Sequence, residues 1–225
     1  MKVMGHRGAK DEFPENTLKS IKFALDVGCK AVEIDIHLSS DNKIVVIHDD
    51  TVDRTTNGKG KVVQLSSEEL RGLDAGQGEK IPYLAEVLDL IKARSCELVI
   101  EIKAANLEEK LIALLKEKDM IEKISVISFN HRIVKKVKEL CPQIKTACLL
   151  YGLPVDAVAI ARAALADGLS ICVATVDKEL VDQCHKEGIY VAAWNVNDKE
   201  SFAYFKQMGI DFLGTDKPSI IAPLA

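Results

Sequence analysis

Glu33 and Asp35 lie two residues apart in a mostly apolar stretch that runs from Ala31 to Leu38. In a β-strand, residues two apart point to the same face, so these carboxylates share one face and the intervening apolar side chains point the other way. Two like charges in a half-buried strand are costly unless a positive charge lies between them. A divalent cation is the simplest compensation, because hard cations prefer carboxylate oxygens.

A histidine follows on the segment that returns from this strand. The polar run from Ser39 to Lys43 predicts a turn, and the β-prone run from Ile44 to Ile47 predicts a second, antiparallel strand. If the turn centres between Asp41 and Asn42, Asp35 lies opposite His48. A shift of the pairing by one residue would turn His48 to the other face.

The elements around this hairpin predict a barrel. From Pro82 onward, helical and strand patterns alternate with short links, which is typical of a parallel sheet covered by helices. Eight strands are predicted, starting at Val3, Ala31, Glu97, Ile124, Thr146, Ser170, Tyr190 and Asp211. The predicted fold class is therefore α/β, a (β/α)₈ TIM barrel. A doubly wound open sheet is the alternative, but no Gly-rich dinucleotide turn follows a strand.

The segment from about 51 to 80 interrupts the pattern. It is polar, contains several glycines and has no aromatic residue, so it is predicted to be a short insertion after strand 2 with one helix near Ser67 to Gly72. The whole chain, 1–225, is predicted to form a single barrel domain with this inserted segment, although two small domains are compatible with its length.

Composition excludes several classes of protein. The 225 residues are 48% hydrophobic and 28% charged, with a net charge of −4, which indicates a globular protein without the basic surface of a nucleic-acid binder. No apolar run has the length of a membrane span, and the N-terminus lacks a signal-peptide layout, so we expect a cytoplasmic protein. The six cysteines contain no C-x-x-C pair and are expected to be reduced and buried.

In a barrel of this kind, functional residues lie at the carboxyl ends of the strands. Glu101 occupies such an end, so Glu33, Asp35 and Glu101 are predicted to converge, and three carboxylates suit Mg²⁺ or Ca²⁺. His6 and His48 would lie close enough to serve as proton acceptor and proton donor. Arg7 and Lys103 would bind an anionic substrate, so the set indicates phosphoryl chemistry.

Several short motifs resemble those of one known family, in the same order along nearly the whole chain. They are Gly5-His6-Arg7-Gly8, Pro14-Glu15-Asn16-Thr17, Glu33-Ile34-Asp35, Val46-Ile47-His48-Asp49, Asp53-Arg54-Thr55-Thr56, Glu101-Ile102-Lys103, Trp194-Asn195 and Gly214-Thr215-Asp216-Lys217-Pro218. By these motifs the sequence resembles the glycerophosphodiester phosphodiesterase family. The resemblance implies the same barrel, a divalent metal held by Glu33, Asp35 and Glu101, and His6 and His48 as the acid/base pair.

The resemblance also implies a reaction. A glycerophosphodiester, such as glycerophosphocholine or glycerophosphoethanolamine, would be hydrolysed to sn-glycerol 3-phosphate and an alcohol. We expect His6 to act as the base and His48 as the acid, with either the glycerol 2-hydroxyl or water as the nucleophile. The alternatives are a phospholipase-type phosphodiesterase that acts on intact lipid and a non-catalytic barrel that binds a metal and a phosphodiester. The lack of an aromatic residue in the insertion argues against membrane binding.

Four further residues are assigned supporting positions. Trp194 and Phe129, at strand ends, are predicted to line the substrate pocket, although either could be part of the core. Glu15 and Asn16 are predicted to lie behind the site, with Glu15 in a hydrogen-bonding role and Asn16 as either a helix cap or a ligand. We expect no nucleic-acid or membrane partner, a small-molecule substrate and, as one possibility, a homodimer.

Overall fold

The computed structural model describes residues 1–225 and has a closed barrel at its centre. The strands are β1 (Lys2–Gly5), β2 (Ala31–Leu38), β3 (Ile44–Val46), β4 (Glu97–Ile102), β5 (Ile124–Ser128), β6 (Lys145–Leu150), β7 (Gly168–Cys172), β8 (Tyr190–Trp194) and β9 (Phe212–Thr215). All except β3 pair in parallel, and β1 closes the barrel by pairing with both β2 and β9. The predicted (β/α)₈ barrel is therefore confirmed.

Helices alternate with these strands on the outside. They are α1 (Leu18–Asp26), α2 (Ser67–Gly72), α3 (Leu84–Lys92), α4 (Glu108–Lys118), α5 (His131–Leu140), α6 (Ala157–Ala163), α7 (Lys178–Lys186), α8 (Lys199–Met208) and α9 (Pro218–Ile221). Most of those that follow a barrel strand begin at a polar side chain that accepts a backbone N–H of the first turn; these caps are Thr17, Asn130, Asp156, Asp177 and Asp198. None of the helices combines the length and the apolar character needed to cross a bilayer.

Alternation along the strands separates two apolar layers. Outward-facing residues such as Val32, Ile34 and Ile36 are fully buried against the helices. Inward-facing Met4, Ala31, Val99, Ile127, Ala147 and Leu149 pack together inside the barrel. Glu33 and Asp35 therefore continue the inward row of β2 above this apolar layer. At this level, carboxylates from adjacent strands can approach them.

The hairpin of β2 and β3 corrects one prediction. Ile36 pairs with Val46, and the Ile47 amide donates to the Asp35 carbonyl, so Asp35 lies opposite Ile47 and the predicted pairing with His48 is wrong by one residue. His48 nevertheless lines the barrel mouth. The reason is that β3 ends at Val46, so His48 is outside the ladder and its direction is not fixed by the alternation of the strand.

The inserted segment packs against the residues that flank it in a second, small apolar core. Seven buried apolar residues form this core, namely Val45, Ile47 and Ile81 outside the insertion and Val52, Val62, Leu70 and Ala75 within it. The predicted helix Ser67–Gly72 is present, and Ser66 and Glu69 form a capping box at its start. The insertion therefore packs on the back of β3 and beside the residues that follow it.

Four of the eight predicted strand starts differ from the structure by one or two residues: β1 begins at Lys2, β6 at Lys145, β7 at Gly168 and β9 at Phe212. β7 ends at Cys172, because the Thr175 and Val176 amides turn back to the Cys172 carbonyl. The helix α6 starts after the Asp156 cap and ends before Leu165, whose φ of 55° is left-handed.

Candidate active site

Three carboxylates meet at the mouth of the barrel. Asp35 on β2 pairs in register with Glu101 on β4, and one carboxylate oxygen from each of Glu33, Asp35 and Glu101 lies within 4.8 Å of the others. All three residues are buried, at 4%, 1% and 8% exposure. Asp35 Oδ1 has no hydrogen-bond partner although it is buried. An oxygen cluster with an unpartnered buried acceptor fits a divalent cation, as the sequence predicts.

The positive charges near this cluster do not compensate its three carboxylates equally. Burial and the charge of Asp35 raise the pKa of Glu101 to about 7, and burial with the charges of Asp35 and Glu101 also raises the pKa of Glu33. Burial disfavours the charge of Asp35 as well, but Lys103 and Arg7 outweigh it and keep its pKa below the ordinary value. The protein's own cations therefore compensate Asp35 and leave the two glutamates short of positive charge.

Arg7 and Lys103 are the cations of the cluster. The Arg7 backbone amide donates to Glu33 Oε2 at 2.9 Å, and its Nε lies 3.4 Å from Asp35 Oδ2. The Lys103 ammonium donates to Glu101 at 2.9 Å and lies 3.5 Å from Asp35. Arg7 has a φ of 49° and precedes Gly8 at 83°, so the β1 loop turns sharply enough for a main-chain amide to reach a side chain of β2.

His6 is held by an acid from the other end of the chain. Its Nδ1 lies 2.6 Å from Asp216 Oδ1, and Asn197 Nδ2 donates to the second oxygen of Asp216 at 2.8 Å. Burial disfavours the Asp216 charge, but the His6 and Asn197 hydrogen bonds lower its pKa to about 2. Because an ionised carboxylate only accepts, His6 Nδ1 carries a proton and Nε2, 4.0 Å from Glu33, is the nitrogen left for chemistry.

His48 has the same kind of support. Its Nδ1 lies 2.6 Å from Asp49 Oδ1, and its Nε2 lies 3.0 Å from the Lys103 ammonium. Burial opposes the Lys103 charge, but Asp35 and Glu101 raise its pKa, so Lys103 is the donor and His48 Nε2 accepts. Burial lowers the pKa of His48 itself. Both histidines therefore present a basic Nε2 to one site, each with Nδ1 on a carboxylate.

Arg54 connects the insertion to both sides of the site. Its guanidinium donates to Asp49 through Nε at 2.7 Å and to both Glu15 oxygens at 2.8 Å. Glu15 also accepts from Arg7 Nη1 at 2.8 Å. Burial disfavours the Glu15 charge, but the hydrogen bonds from Arg54 and Arg7 lower its pKa to about 2. One arginine thus supports the acid behind His48 and the acid behind Arg7.

Asn16, which was predicted to be either a helix cap or a ligand, contacts the carboxylate cluster, and its neighbour Thr17 is the helix cap. Asn16 Nδ2 donates to Asp35 Oδ2 at 2.9 Å, and its Oδ1 accepts the Asp35 amide at 3.2 Å, so Asn16 orients a carboxylate of the cluster. Thr17 is the residue that caps α1. The Asn16 φ of 59° is left-handed, which asparagine tolerates better than most residues.

A cavity of about 210 Å³ opens at this cluster. Trp194 and Phe129 line it, in an edge-to-face pair with ring centres 6.0 Å apart. Phe129 is 50% exposed, so its ring is also available to ligands outside this cavity. The remaining lining residues are His6, Arg7, Glu33, His48, Glu101, Lys103, Asn195, Ser170, Met4, Ile127 and Leu149.

Asp216, Asp49 and Arg54 lie in the quoted motifs, but the sequence patterns predicted no catalytic or positioning role for any of them. Asn195 was also missed; its side-chain Nδ2 lies 2.9 Å from His6 Nδ1, and its buried Oδ1 has no hydrogen-bond partner. The available signal for Asp216 was its position at a strand's carboxyl end, next to β1 in the closed barrel. No comparable signal existed for Arg54, because the sequence of a loop does not indicate which groups its side chains contact.

The chain is similar to proteins of one class. A solved structure of an Oleispira antarctica phosphodiesterase in complex with the product sn-glycerol-3-phosphate is 32% identical, with a TM-score of 0.92 over 100% of this chain and 97% of that one. A glycerophosphodiester phosphodiesterase of Caldanaerobacter subterraneus is 37% identical over 99% of this chain and 96% of its own length. One of Bacillus altitudinis is 31% identical over 96% and 95%. The class is thus that of phosphodiester hydrolases.

The chain also matches the sequence model of a protein family. The sequence model of the glycerophosphoryl diester phosphodiesterase family matches residues 6–220. The chain therefore belongs to the glycerophosphoryl diester phosphodiesterase family, and the predicted family and enzyme class are confirmed.

Proposed function

We propose that the protein hydrolyses glycerophosphodiesters, such as glycerophosphocholine or glycerophosphoethanolamine, to sn-glycerol 3-phosphate and the free alcohol. The observation that carries this proposal is the pair of histidines, each with Nδ1 bound to a carboxylate at 2.6 Å and Nε2 directed to the same cluster of acids and cations. The names of the relatives, and the product in the Oleispira antarctica complex, support it. A binding protein would have no use for two histidines prepared in this way.

Glu33, Asp35 and Glu101 would hold the divalent cation, Mg²⁺ or Ca²⁺. When bound, such an ion supplies positive charge to the phosphate and polarises its P–O bonds. Arg7 and Lys103 add two fixed cations at the same place, so the substrate phosphate replaces carboxylates as their partner.

His6 would act as the general base. With Nδ1–H on Asp216, its Nε2 has a free lone pair that accepts the proton of the nucleophile as the new P–O bond forms. The nucleophile is either the glycerol 2-hydroxyl, which gives a cyclic phosphate that water then opens, or water itself. The Asp216 carboxylate stabilises the imidazolium that results.

His48 would act as the general acid. In the free protein its Nε2 accepts from Lys103, and we expect a bound phosphate to draw the Lys103 ammonium away and to favour protonation of the imidazole. The His48 Nε2 proton then passes to the leaving alcohol oxygen as its P–O bond breaks. Asp49 and Arg54 keep the ring in place during this transfer.

A coupled assay for released sn-glycerol 3-phosphate tests the proposal. Wild-type protein with Mg²⁺ or Ca²⁺ should turn over glycerophosphodiesters, and excess chelator should stop the reaction. Detection of a cyclic glycerol phosphate by ³¹P NMR during turnover separates the two nucleophiles, since this intermediate forms only on the 2-hydroxyl path. Absence of glycerol 3-phosphate with every divalent cation and every diester would contradict the assignment.

One observation favours a second substrate class, lipid carried on a membrane. The insertion has no aromatic residue, but the β6–α6 loop contains the exposed residues Tyr151, Leu153 and Val155. The ring centres of Tyr151 and Trp194, which lines the cavity, are 6.3 Å apart. Exposed apolar side chains beside a site can insert into lipid. Co-sedimentation with phospholipid vesicles, and its loss in Tyr151→Ser/Leu153→Ser, would support this candidate; no binding to vesicles would reject it.

A further inference from the structure

A second groove begins where the first cavity ends. It has a volume of about 610 Å³ and shares His48, Glu101, Lys103 and Phe129 with the cavity described above. The rest of its lining differs: Met4, Leu149 and Trp194 belong only to the first cavity, whereas His37, Asp49, Asp50, Ser128 and Asn130 belong only to the groove. The two spaces therefore meet at the cations and the histidine that would handle the phosphate.

A phosphodiester has two arms that leave the phosphorus in different directions. With the phosphate at the junction, one arm enters the first cavity and the other enters the groove. His48 lies at this junction, and in the proposed reaction it donates a proton to the leaving oxygen. The groove is thus the space on the leaving-alcohol side of the bond that breaks.

The charges of the groove are not all neutralised within the protein. Asp49 is bound by His48 and Arg54, and Glu101 is bound by Lys103. Asp50 is exposed and lines the groove, and its carboxylate makes no hydrogen bond or ion pair with another side chain. The exposed ring of Phe129 lines the same groove. A free carboxylate and an aromatic face are the two groups that bind an ammonium ion.

We propose that this groove is the leaving-group subsite and that it selects diesters whose alcohol carries a positively charged amine. The inference rests on the proposed function, because it assigns the second arm of the same substrate. Its chemistry is that of an amino alcohol, with the ammonium group toward Asp50 and the carbon next to nitrogen against Phe129. A neutral alcohol would bind in the groove without this contribution.

The test compares two substrates of nearly equal size. One is glycerophosphoethanolamine, and the other is the ethylene glycol diester, in which a hydroxyl replaces the ammonium. The ratio of their kcat/KM values is measured for the wild type, Asp50→Asn, Asp50→Lys and the control Asp11→Asn. Asp11 is also exposed, lies in the loop after β1 and has no side-chain partner, so its substitution removes the same charge away from the groove.

Asp50→Asn should lower the ratio by about two- to fivefold, the effect of one exposed ion pair, and Asp50→Lys should lower it further. The ethylene glycol diester should be hydrolysed at nearly the wild-type rate by Asp50→Asn, and Asp11→Asn should leave the ratio unchanged. The wild-type ratio should also fall as salt is raised from about 0.02 to 0.5 M, because the contact is exposed.

An unchanged ratio in both Asp50 variants, with turnover intact, would overturn the subsite. An equal fall in Asp11→Asn would also overturn it, since the effect would then come from overall charge. If the wild type hydrolyses neither diester, the proposed function fails instead, so the two failures are distinguishable. Circular dichroism and thermal unfolding of each variant show that it folds, which we expect because the Asp50 side chain is exposed and has no side-chain partner.

Discussion

His6 and Asp216 are 210 residues apart in the sequence, yet His6 Nδ1 and Asp216 Oδ1 are separated by 2.6 Å. The contact exists because β1 and β9 are neighbours in the closed barrel, with Gly5 paired to Thr215, so the residues after each strand end side by side. Asp216 does not face the cavity. Its effect on the reaction is therefore indirect, through the ring of His6.

Asp216→Asn should lower kcat by about 10²- to 10³-fold, with KM changed little, because it removes the group that fixes the proton on Nδ1 and leaves substrate contacts intact. Steady-state kinetics with glycerophosphoethanolamine measure both parameters. Asp11→Asn is the control for loss of one carboxylate near the mouth. A wild-type kcat in Asp216→Asn would show that His6 needs no such partner.

Replacing either histidine by alanine should abolish turnover, with kcat at least about 10²-fold lower, since each removes one proton-transfer step. The wild-type rate should be bell-shaped against pH, with a base limb and an acid limb. His131→Ala is a suitable control, because His131 contacts the Leu149 carbonyl and lies outside the cavity lining. Full activity in His48→Ala would eliminate the general acid from the scheme.

Chelation should remove activity, and Mg²⁺ or Ca²⁺ should restore it. Because a ligand that binds only the native state stabilises it, either ion should also raise the melting temperature of chelated protein. Glu101→Gln should reduce both effects, whereas Glu122→Gln, an exposed change away from the mouth, should reduce neither. Equal thermal shifts in Glu101→Gln and wild type would mean that Glu101 is not a ligand. Differential scanning calorimetry provides the measurement.

Arg54→Lys should not preserve the function of Arg54, because a single ammonium cannot make the paired contacts to Asp49 and Glu15. Both Arg54→Lys and Arg54→Ala should lower kcat/KM about tenfold, through His48 on one side and Arg7 on the other. Lys59→Ala, in the same insertion and far more exposed, is the matched control. Near-wild-type kcat/KM in Arg54→Ala would confine this arginine to holding the insertion.

Glu15 should contribute to stability in a pH-dependent way. Its pKa is about 2 in the folded protein and 4.5 as its ordinary value, so the unfolded state binds more protons between these limits. The contribution is present above pH 4.5 and is lost as pH falls toward 2. The full shift corresponds to about 3 kcal/mol and solvent screening reduces it, so Glu15→Gln should cost about 2 kcal/mol at pH 7 and progressively less in acid.

Urea unfolding of wild type and Glu15→Gln from pH 7 down to the acid limit of folding measures this difference. Glu122→Gln provides the baseline for an exposed glutamate. A destabilisation that stays constant with pH would show that the Arg7 and Arg54 hydrogen bonds do not depend on the Glu15 charge.

Local pattern predicted most of the fold and part of the site. Alternation in the run from Ala31 to Leu38 put Glu33 and Asp35 on one face, and helix and strand periodicity gave the barrel, because both depend only on residues near in sequence. The same periodicity at Glu97 to Ile102 placed Glu101 on an inward row. These are consequences of chain geometry that hold before any distant contact forms.

Tertiary structure decided the rest. The position of His48 did not follow from strand pairing, since β3 ends two residues earlier and the predicted register was wrong. Asp216 behind His6, and Arg54 between Glu15 and Asp49, follow from barrel closure and from the packing of the insertion. The sequence by itself determined which residues form each strand and which face of the strand each side chain occupies. Only the closed fold decided which strand ends and loops meet. Those contacts join residues whose separation along the chain carries no information about their separation in space.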